Sequence, residues 1–299
     1  VKNILIRPAD VTDAAAISAV HCSGVVAWRA GDRSARYADL TPFQRWQHGG
    51  PWMDAGLCAG HLRRLLEGGG LPVVAEAGGR VAAEAELHPA EEPPPFGRTM
   101  NLSALYVHRN HQRQGLGSAL MEHAFALAEG FDTFTVAHAE APDFYRRHGL
   151  RAAGVSTRFR LSTRVGKVRY TTEPLPDAPY DLIRGCGLPV GRYQNARHDW
   201  ERTRPGATPD FHEWRGLRLE RWWLRIGDHM AALILEESPD QAGVADTFLF
   251  TLSPLAAPLL SAVRDLAARS GFTHLICFAP AISGAIPTDY RQQLLMKRL

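Results

Sequence analysis

Between Leu105 and Leu120 the chain reads L-Y-V-H-R-N-H-Q-R-Q-G-L-G-S-A-L, and this stretch restricts the fold more than any other. Leu105-Tyr106-Val107 closes an apolar strand. Gly115 and Gly117 leave the backbone bare and admit positive φ. A helix opens at Ser118 and runs to about Ala128, with Leu116, Leu120, Ala124 and Leu127 on one face. The first N–H groups of a helix have no intrahelical partner and sit at the positive end of its dipole, so this loop suits a phosphate. His108, Arg109, His111 and Arg113 add cationic or donor groups beside it. A pyrophosphate carried by a cofactor is the natural guest.

Three kinds of phosphate loop compete for this stretch. A P-loop needs G-x-x-x-x-G-K-[ST], which the chain lacks. A dinucleotide fingerprint needs G-x-G-x-x-G/A straight after a strand. Here Leu120 takes the third position and seven residues separate Val107 from Gly115, which speaks against a nicotinamide enzyme. The third pattern, (Q/R)-x-x-G-x-(G/A), is met by Gln112-Arg113-Gln114-Gly115-Leu116-Gly117.

Taken in order, Ile4-Leu5-Ile6 is a strand, and Asp10 or Thr12 caps a helix with Ala14, Ile17, Val20 and Gly24 inward. Between Val25 and Trp52 the periodicity fails, and Trp28, Tyr37, Phe43, Trp46 and Trp52 crowd in. A second helix carries Cys58, Leu62 and Leu65 and stops at Gly68-Gly69-Gly70. Leu71–Ala77 and Arg80–Leu87 form a hairpin about Gly78-Gly79. A proline loop precedes a long strand, Thr99 to Val107. After the glycine loop and its helix, Phe131–Ala137 is a strand and Ala141–Arg147 a short helix.

That order, with the glycine pattern on its junction, resembles the GNAT N-acetyltransferase superfamily. The short helix carries A-P-D-F-Y-R-R-H-G-L, similar to the family's A-x-x-F-Y-x-x-x-G-[FL] segment. The resemblance covers about Ile4 to Leu161. It implies an α/β (α+β) fold with a mixed, mostly antiparallel central sheet flanked by helices. It implies acetyl-CoA (coenzyme A) as co-substrate, held by Leu105, Tyr106, Val107, Gln112, Arg113, Gln114, Gly115, Leu116, Gly117 and Ser118. A bulge near Leu105–Val107 turns backbone groups toward the thioester carbonyl, where a donor stabilises the oxyanion. Tyr145 is the general acid for the departing thiolate, since a phenol with pKa near 10 can supply that proton. His138 stands where the family often has a pantetheine-binding asparagine.

The general base is less defined. Many family members carry a strand glutamate where this chain has Ser103. Glu84, Glu86 and His88 alternate onto one face of the preceding strand, and either Glu84 or Glu86 can replace it; the alternative is that this face is solvated. Trp28, Tyr37, Trp46 and Trp52 either shape the acceptor pocket or form core or dimer contacts. The chemistry implied is transfer of an acetyl group to a primary amine by direct attack. The rival reading is a non-catalytic acyl-CoA-binding sensor or scaffold.

The remainder divides the 299 residues into two domains, 1–163 for acyl-CoA and catalysis and 164–299 as a degenerate second copy. Leu217–Ile226, His229–Glu236, Thr247–Leu252, Leu255–Ala268 and Phe272–Phe278 repeat the order hairpin, strand, helix, strand, and Arg192–Arg202 is a further helical stretch. The second strand-to-helix junction, Ser253-Pro254-Leu255-Ala256-Ala257-Pro258, lacks glycine and has two residues without N–H, so it cannot cradle a pyrophosphate. A tandem of one working and one degenerate copy resembles, in architecture only, mycothiol synthase and related tandem GNAT proteins, where the second copy is the working one. Trp214, Trp222 and Trp223 cover the first sheet or a partner chain.

Four scattered cysteines without C-x-x-C argue for a reducing, cytoplasmic setting, and against zinc or disulfides. His108 and His111 lack a third ligand, so no metal is expected. A net charge of +3 with both signs mixed excludes a nucleic-acid stripe. No apolar run approaches the roughly 18 residues of a membrane span. A small-molecule amine is the expected partner, and the family admits a homodimer.

Overall fold

The computed structural model describes residues 4–137, 141–191 and 195–299. The chain forms two compact units. The first comprises Val1–Pro89, Leu102–Gly130 and Phe211–Glu213; the second comprises Ala90–Asn101, Phe131–Asp210 and Trp214–Leu299.

In the first unit, β1 (Ile4–Pro8) leads to a one-turn helix whose N-cap, Asp10, forms a reciprocal box with Asp13. Helix α1 (Ala14–Cys22) follows. Two two-residue strands, β2 (Arg29–Ala30) and β3 (Arg33–Ser34), and α2 (Pro42–Trp46) occupy the stretch where periodicity fails. Helix α3 (Ala55–Glu67) starts because the Asp54 side chain accepts the N–H groups of Gly56 and Leu57. It buries Cys58, Leu62 and Leu65. Gly70 ends the approach to the sheet closely: a Cβ there would lie 2.1 Å from Leu65 Cδ1.

Strands β4 (Leu71–Ala77) and β5 (Arg80–Glu92) form the expected hairpin, with β5 running five residues beyond Leu87. β6 (Gly97–Val107) follows, and both β5 and β6 contribute residues to each unit. Strand order in the first unit is β1-β4-β5-β6, with β1–β4 and β4–β5 antiparallel. Helix α4 (Leu116–Leu127) begins two residues before the expected Ser118, so Gly117 lies in its first turn. Ala9, Ala14, Ile17, Leu62, Leu65 and Val74 make the core between α1, α3 and the sheet.

The second unit begins its sequence-local elements with β7 (Thr133–Ala137), α5 (Pro142–Arg147) and β8 (Arg151–Ser162). Then come β9 (Thr171–Pro174), β10 (Gly187–Val190) and α6 (Ala196–Arg202). The remainder is β11 (Leu219–Ile226), β12 (His229–Glu237), β13 (Val244–Thr251), α7 (Ala257–Arg269), β14 (His274–Ala279) and β15 (Ile286–Arg298). The order is β7-β15-β8-β14-β13-β12-β11-β9, with β10 on β13. Among the described residues, the strand pairings within this unit are antiparallel except β13–β14.

Alternation along its strands sorts two cores. Leu233, Leu235, Leu249, Leu275 and Cys277 pack with Leu259, Ala262, Val263 and Ala267 of α7. Ala232, Ile234, Phe248 and Phe250 pack with Ala196 and Trp200 of α6. The sheet is mixed and mostly antiparallel with helices on its faces, the class the sequence implies. No helix among the described residues is long and apolar enough to cross a membrane.

Candidate functional site

The glycine loop lies in the first unit. Leu105 and Val107 end β6 half-buried, with Tyr106 exposed between them. A one-turn helix, Arg109–His111, follows, capped by the His108 side chain on the Asn110 N–H at 3.2 Å. Gln112, Arg113, Gln114 and Gly115 are exposed, Leu116 is buried in the core, and Gly117 and Ser118 are half-buried. Gln112 donates its side-chain N–H to Val107 O at 3.3 Å, and Gln114 donates to Asn110 O at 3.0 Å. These amides brace the loop against itself.

Gly115 is the N-cap of α4 with φ 91°, a left-handed conformation, and a Cβ placed there would meet nothing within 4 Å. The preceding Arg113 also has positive φ, 58°. The first backbone bond into the helix runs from Ala119 N–H to Gly115 O at 2.9 Å. The N–H groups of Leu116, Gly117 and Ser118 precede it. No acidic residue occupies the first turn and no side chain caps it. Open space, bare amides and an uncompensated positive end fit the diphosphate of a coenzyme A.

The same unit holds a buried acid–imidazole network. Glu84 and Glu86 on β5 are 0% and 1% exposed, and His88 is 5% exposed. The solvated alternative for this face is thereby overturned: the polar side chains point inward, where aromatic and imidazole groups receive them. His21 Nε2 and Glu84 Oε1 share a hydrogen bond of 2.6 Å. His21 stacks on Trp52, with ring centroids 5.1 Å apart and planes 6° apart, and lies 3.9 Å from the Tyr106 ring. Glu86 Oε1 accepts from Trp52 Nε1 and pairs with His61 Nε2, both at 2.8 Å.

The two carboxyls are held differently. Burial pushes Glu84 up, against the hydrogen bond to His21 and helped by the nearby Glu86 charge. Its Oε2 has no hydrogen-bond partner among the described residues. Burial also pushes on Glu86, but the His61 charge and the bonds from His61 and Trp52 outweigh it and leave Glu86 below its usual range. Burial thus favours the neutral form of Glu84, and the contacts from His61 and Trp52 favour the charged form of Glu86. Ser103 donates its hydroxyl to Glu86 O at 3.2 Å.

The partners of these carboxyls were missed by sequence reasoning. His21 stands four residues after Ile17, on the inward face of α1, and that spacing is the signal that marks it. His61 follows Cys58 by three and Trp52 sits in a one-turn helix, Pro51–Met53; neither spacing points to Glu86.

The other aromatics separate from Trp52. Trp28 packs edge-on against Tyr37 and His48, at 5.1 and 4.7 Å. The Arg45 guanidinium lies 4.2 Å over the Tyr37 ring and bonds Asp54 at 2.7 Å. Trp46 and Phe43 meet Phe211, which the chain returns to this unit.

Tyr145 belongs to the second unit, half-buried on α5, with Phe144 edge-on at 5.1 Å. His138 lies outside the described residues. Trp222 bonds Glu220 at 3.2 Å and Trp223 packs against the core over β12 and β13. Among the described residues no three His, Cys, Asp or Glu gather to hold a metal ion.

Residues 69–151 match the family model of the acetyltransferase (GNAT) domain. The fold is similar to a GCN5-related N-acetyltransferase from Anabaena variabilis over 99% of this chain and 73% of that one, at 13% identity and TM-score 0.64. A GCN5-related N-acetyltransferase from Kribbella flavida is similar over 100% and 71%, at 13% identity and TM-score 0.60. A tandem GNAT protein from the clavulanic acid biosynthesis pathway is similar over 99% and 98%, at 15% identity and TM-score 0.50. No curated protein matches the chain in sequence. At these identities the likeness is one of fold.

Proposed function

We propose that this chain, whose residues 69–151 match the GNAT acetyltransferase domain, is an acetyl-CoA-dependent N-acetyltransferase acting on a small primary amine. The observation that carries this reading is the pairing of a bare, uncompensated α4 N-terminus with a buried, base-poised Glu84 in one unit. When bound, acetyl-CoA supplies the acetyl group as an activated thioester. The backbone from Arg113 to Ser118 holds its diphosphate, and the end of β6 at Leu105–Val107 offers donors to the carbonyl oxygen.

His21 and Glu84 take the proton of the attacking amine. Burial raises the pKa of Glu84, which strengthens its conjugate base as a proton acceptor. Tyr106, exposed on one side and 3.9 Å from the His21 ring on the other, is the outer end of this route. Glu86 keeps Trp52 and His61 in place. Tyr145 gives a proton to the departing sulfur, a role that rests on its A-x-x-F-Y motif.

In sequence terms we read 1–163 as the catalytic GNAT copy and 164–299 as a degenerate one. The second junction opens α7 with Pro258 in its first turn and no side-chain cap. It takes no coenzyme A. We place the protein in the cytoplasm, and leave a homodimer to sedimentation measurements.

The sealing of Glu84 from solvent also favours a second reading, an acyl-CoA sensor without chemistry. Thermal unfolding with acetyl-CoA, CoA and NAD in parallel tests the cofactor. A ligand at about 100 times its Kd adds about 2.7 kcal/mol and moves the midpoint by several degrees. Thiol release across an amine panel then tests turnover. Stabilisation by CoA species with no thiol release from any amine selects the sensor; no stabilisation by either CoA species overturns both.

A further inference from the structure

The second unit has a cavity that the acyl-transfer reading does not use. It measures about 310 Å³ and is lined chiefly by Arg158, Arg202, Asp246, Phe248, Phe278 and Tyr290. All six belong to this unit. Strand alternation explains the lining. The β13 and β14 residues facing α7 are Ala245, Leu249, Leu275 and Cys277. Their neighbours Asp246, Phe248 and Phe278 fall on the opposite face, and Arg158 pairs across from Phe278. The parallel pairing of β13 and β14 spans Val244–Asp246 and His274–Ile276, so Asp246 stands at its last rung. Tyr290 of β15 closes edge-on against Phe278 at 5.7 Å.

The charges are ordered. The Arg202 guanidinium lies 4.8 Å over the Phe248 ring, with Glu236 at 3.4 Å and Asp199 at 3.6 Å as carboxylate neighbours. Arg158 is half-buried on the floor. Asp246 is pushed up to about 6, by burial first and by the Glu236 charge next; the charges of Arg202 and Arg158 pull it the other way. Asp246 thus stands in the cavity lining as a half-buried carboxylate within reach of the charges of both arginines.

We propose that this cavity binds a free α-amino acid with an apolar or aromatic side chain. Its carboxylate meets Arg158, with Arg202 as the second positive charge. Its ammonium meets Asp246. Its side chain lies among Phe248, Phe278 and Tyr290. The volume stands at the low end of small-molecule sites, roughly 300–1,000 Å³, which suits one amino acid and excludes a coenzyme. A simple carboxylate leaves Asp246 facing an anion, and a simple amine brings no anion to Arg158. This proposal is independent of the reading of the first unit.

Calorimetric titration of the full chain with L-phenylalanine tests it, beside 3-phenylpropionate, phenethylamine and glycine. The expected result is one saturable site for L-phenylalanine, with each analogue at least about tenfold weaker, a factor worth about 1.4 kcal/mol. Arg158→Met and Asp246→Asn, each checked for an unchanged unfolding midpoint, weaken L-phenylalanine by a similar factor. Tyr290→Ala, at a site already 43% exposed, is the fallback should either variant unfold, and weakens it too. Absence of saturation by L-phenylalanine at millimolar concentration overturns the proposal. So does binding that the cavity variants leave unchanged, or phenethylamine binding as tightly as the amino acid.

Discussion

His21 Nε2 and Glu84 Oε1 sit 2.6 Å apart, with 1% of either side chain exposed. Glu84 keeps its second carboxyl oxygen without a hydrogen-bond partner among the described residues, whereas the neighbouring Glu86 is committed to two donors. Glu84→Gln is therefore expected to lower kcat by about 10²–10⁴-fold with acetyl-CoA affinity unchanged. Steady-state kinetics and calorimetry check the two halves of that statement.

The two glutamates differ in stability as well. Glu84 has a raised folded pKa, so its charged form opposes folding once the pH exceeds the unfolded value, and glutamine removes that penalty. Glu86 has a lowered folded pKa, so its stabilisation is present above the unfolded value and fades as the pH falls. At pH 8 the unfolding midpoint should hold or rise for Glu84→Gln and fall for Glu86→Gln. The reverse order would place the working charge on the wrong carboxyl.

Gly117 stands in the first turn of α4, among the N–H groups that precede the helix's own bonding. Gly117→Trp should abolish acetyl-CoA binding through bulk. Gly115→Ala has room but not conformation, since its φ is 91°. It should cost about 1–3 kcal/mol of stability, read in urea unfolding.

Tyr145→Phe should reduce turnover while acetyl-CoA binds nearly as before, and the alkaline limb of the rate profile should change with it. Unchanged turnover removes Tyr145 from the reaction.

Acid should weaken the second unit through two carboxylates. Asp265 is held down to about 2 by hydrogen bonds from Arg269, with the Gly166 N–H and Tyr170 hydroxyl adding to it. Glu237 is held at about 2 by Arg218 and the Gly243 N–H. Both are lowered, so their stabilisation is complete above the unfolded range near 4 and is lost between about pH 4 and pH 2. Asp265→Asn should lower the midpoint at pH 7 and flatten its decline in acid.

The first unit was largely legible because its signals are local. Gly78-Gly79 fixes a hairpin, Cys58, Leu62 and Leu65 fix an amphipathic helix, and the glycine loop fixes a strand-to-helix junction. Long-range matters were harder. Glu84 and Glu86 alternate like a solvated face, and only the imidazoles of His21 and His61, brought from two helices, make that face an interior. Strand β15 escaped notice because Thr288 to Arg291 is polar and two-faced; its place depends on β7 and β8. β10 is four residues containing a proline, too short to show a period.

β15 is the last element in chain order, yet its partners are β7 on one side and β8 on the other. Those two strands emerge during synthesis more than a hundred residues earlier. Until β15 arrives, each offers a bare ladder of N–H and C=O groups to any passing strand. The growing polypeptide thus adds more than a hundred residues with this slot unfilled, and timing at the ribosome becomes a hazard that the folded molecule no longer displays.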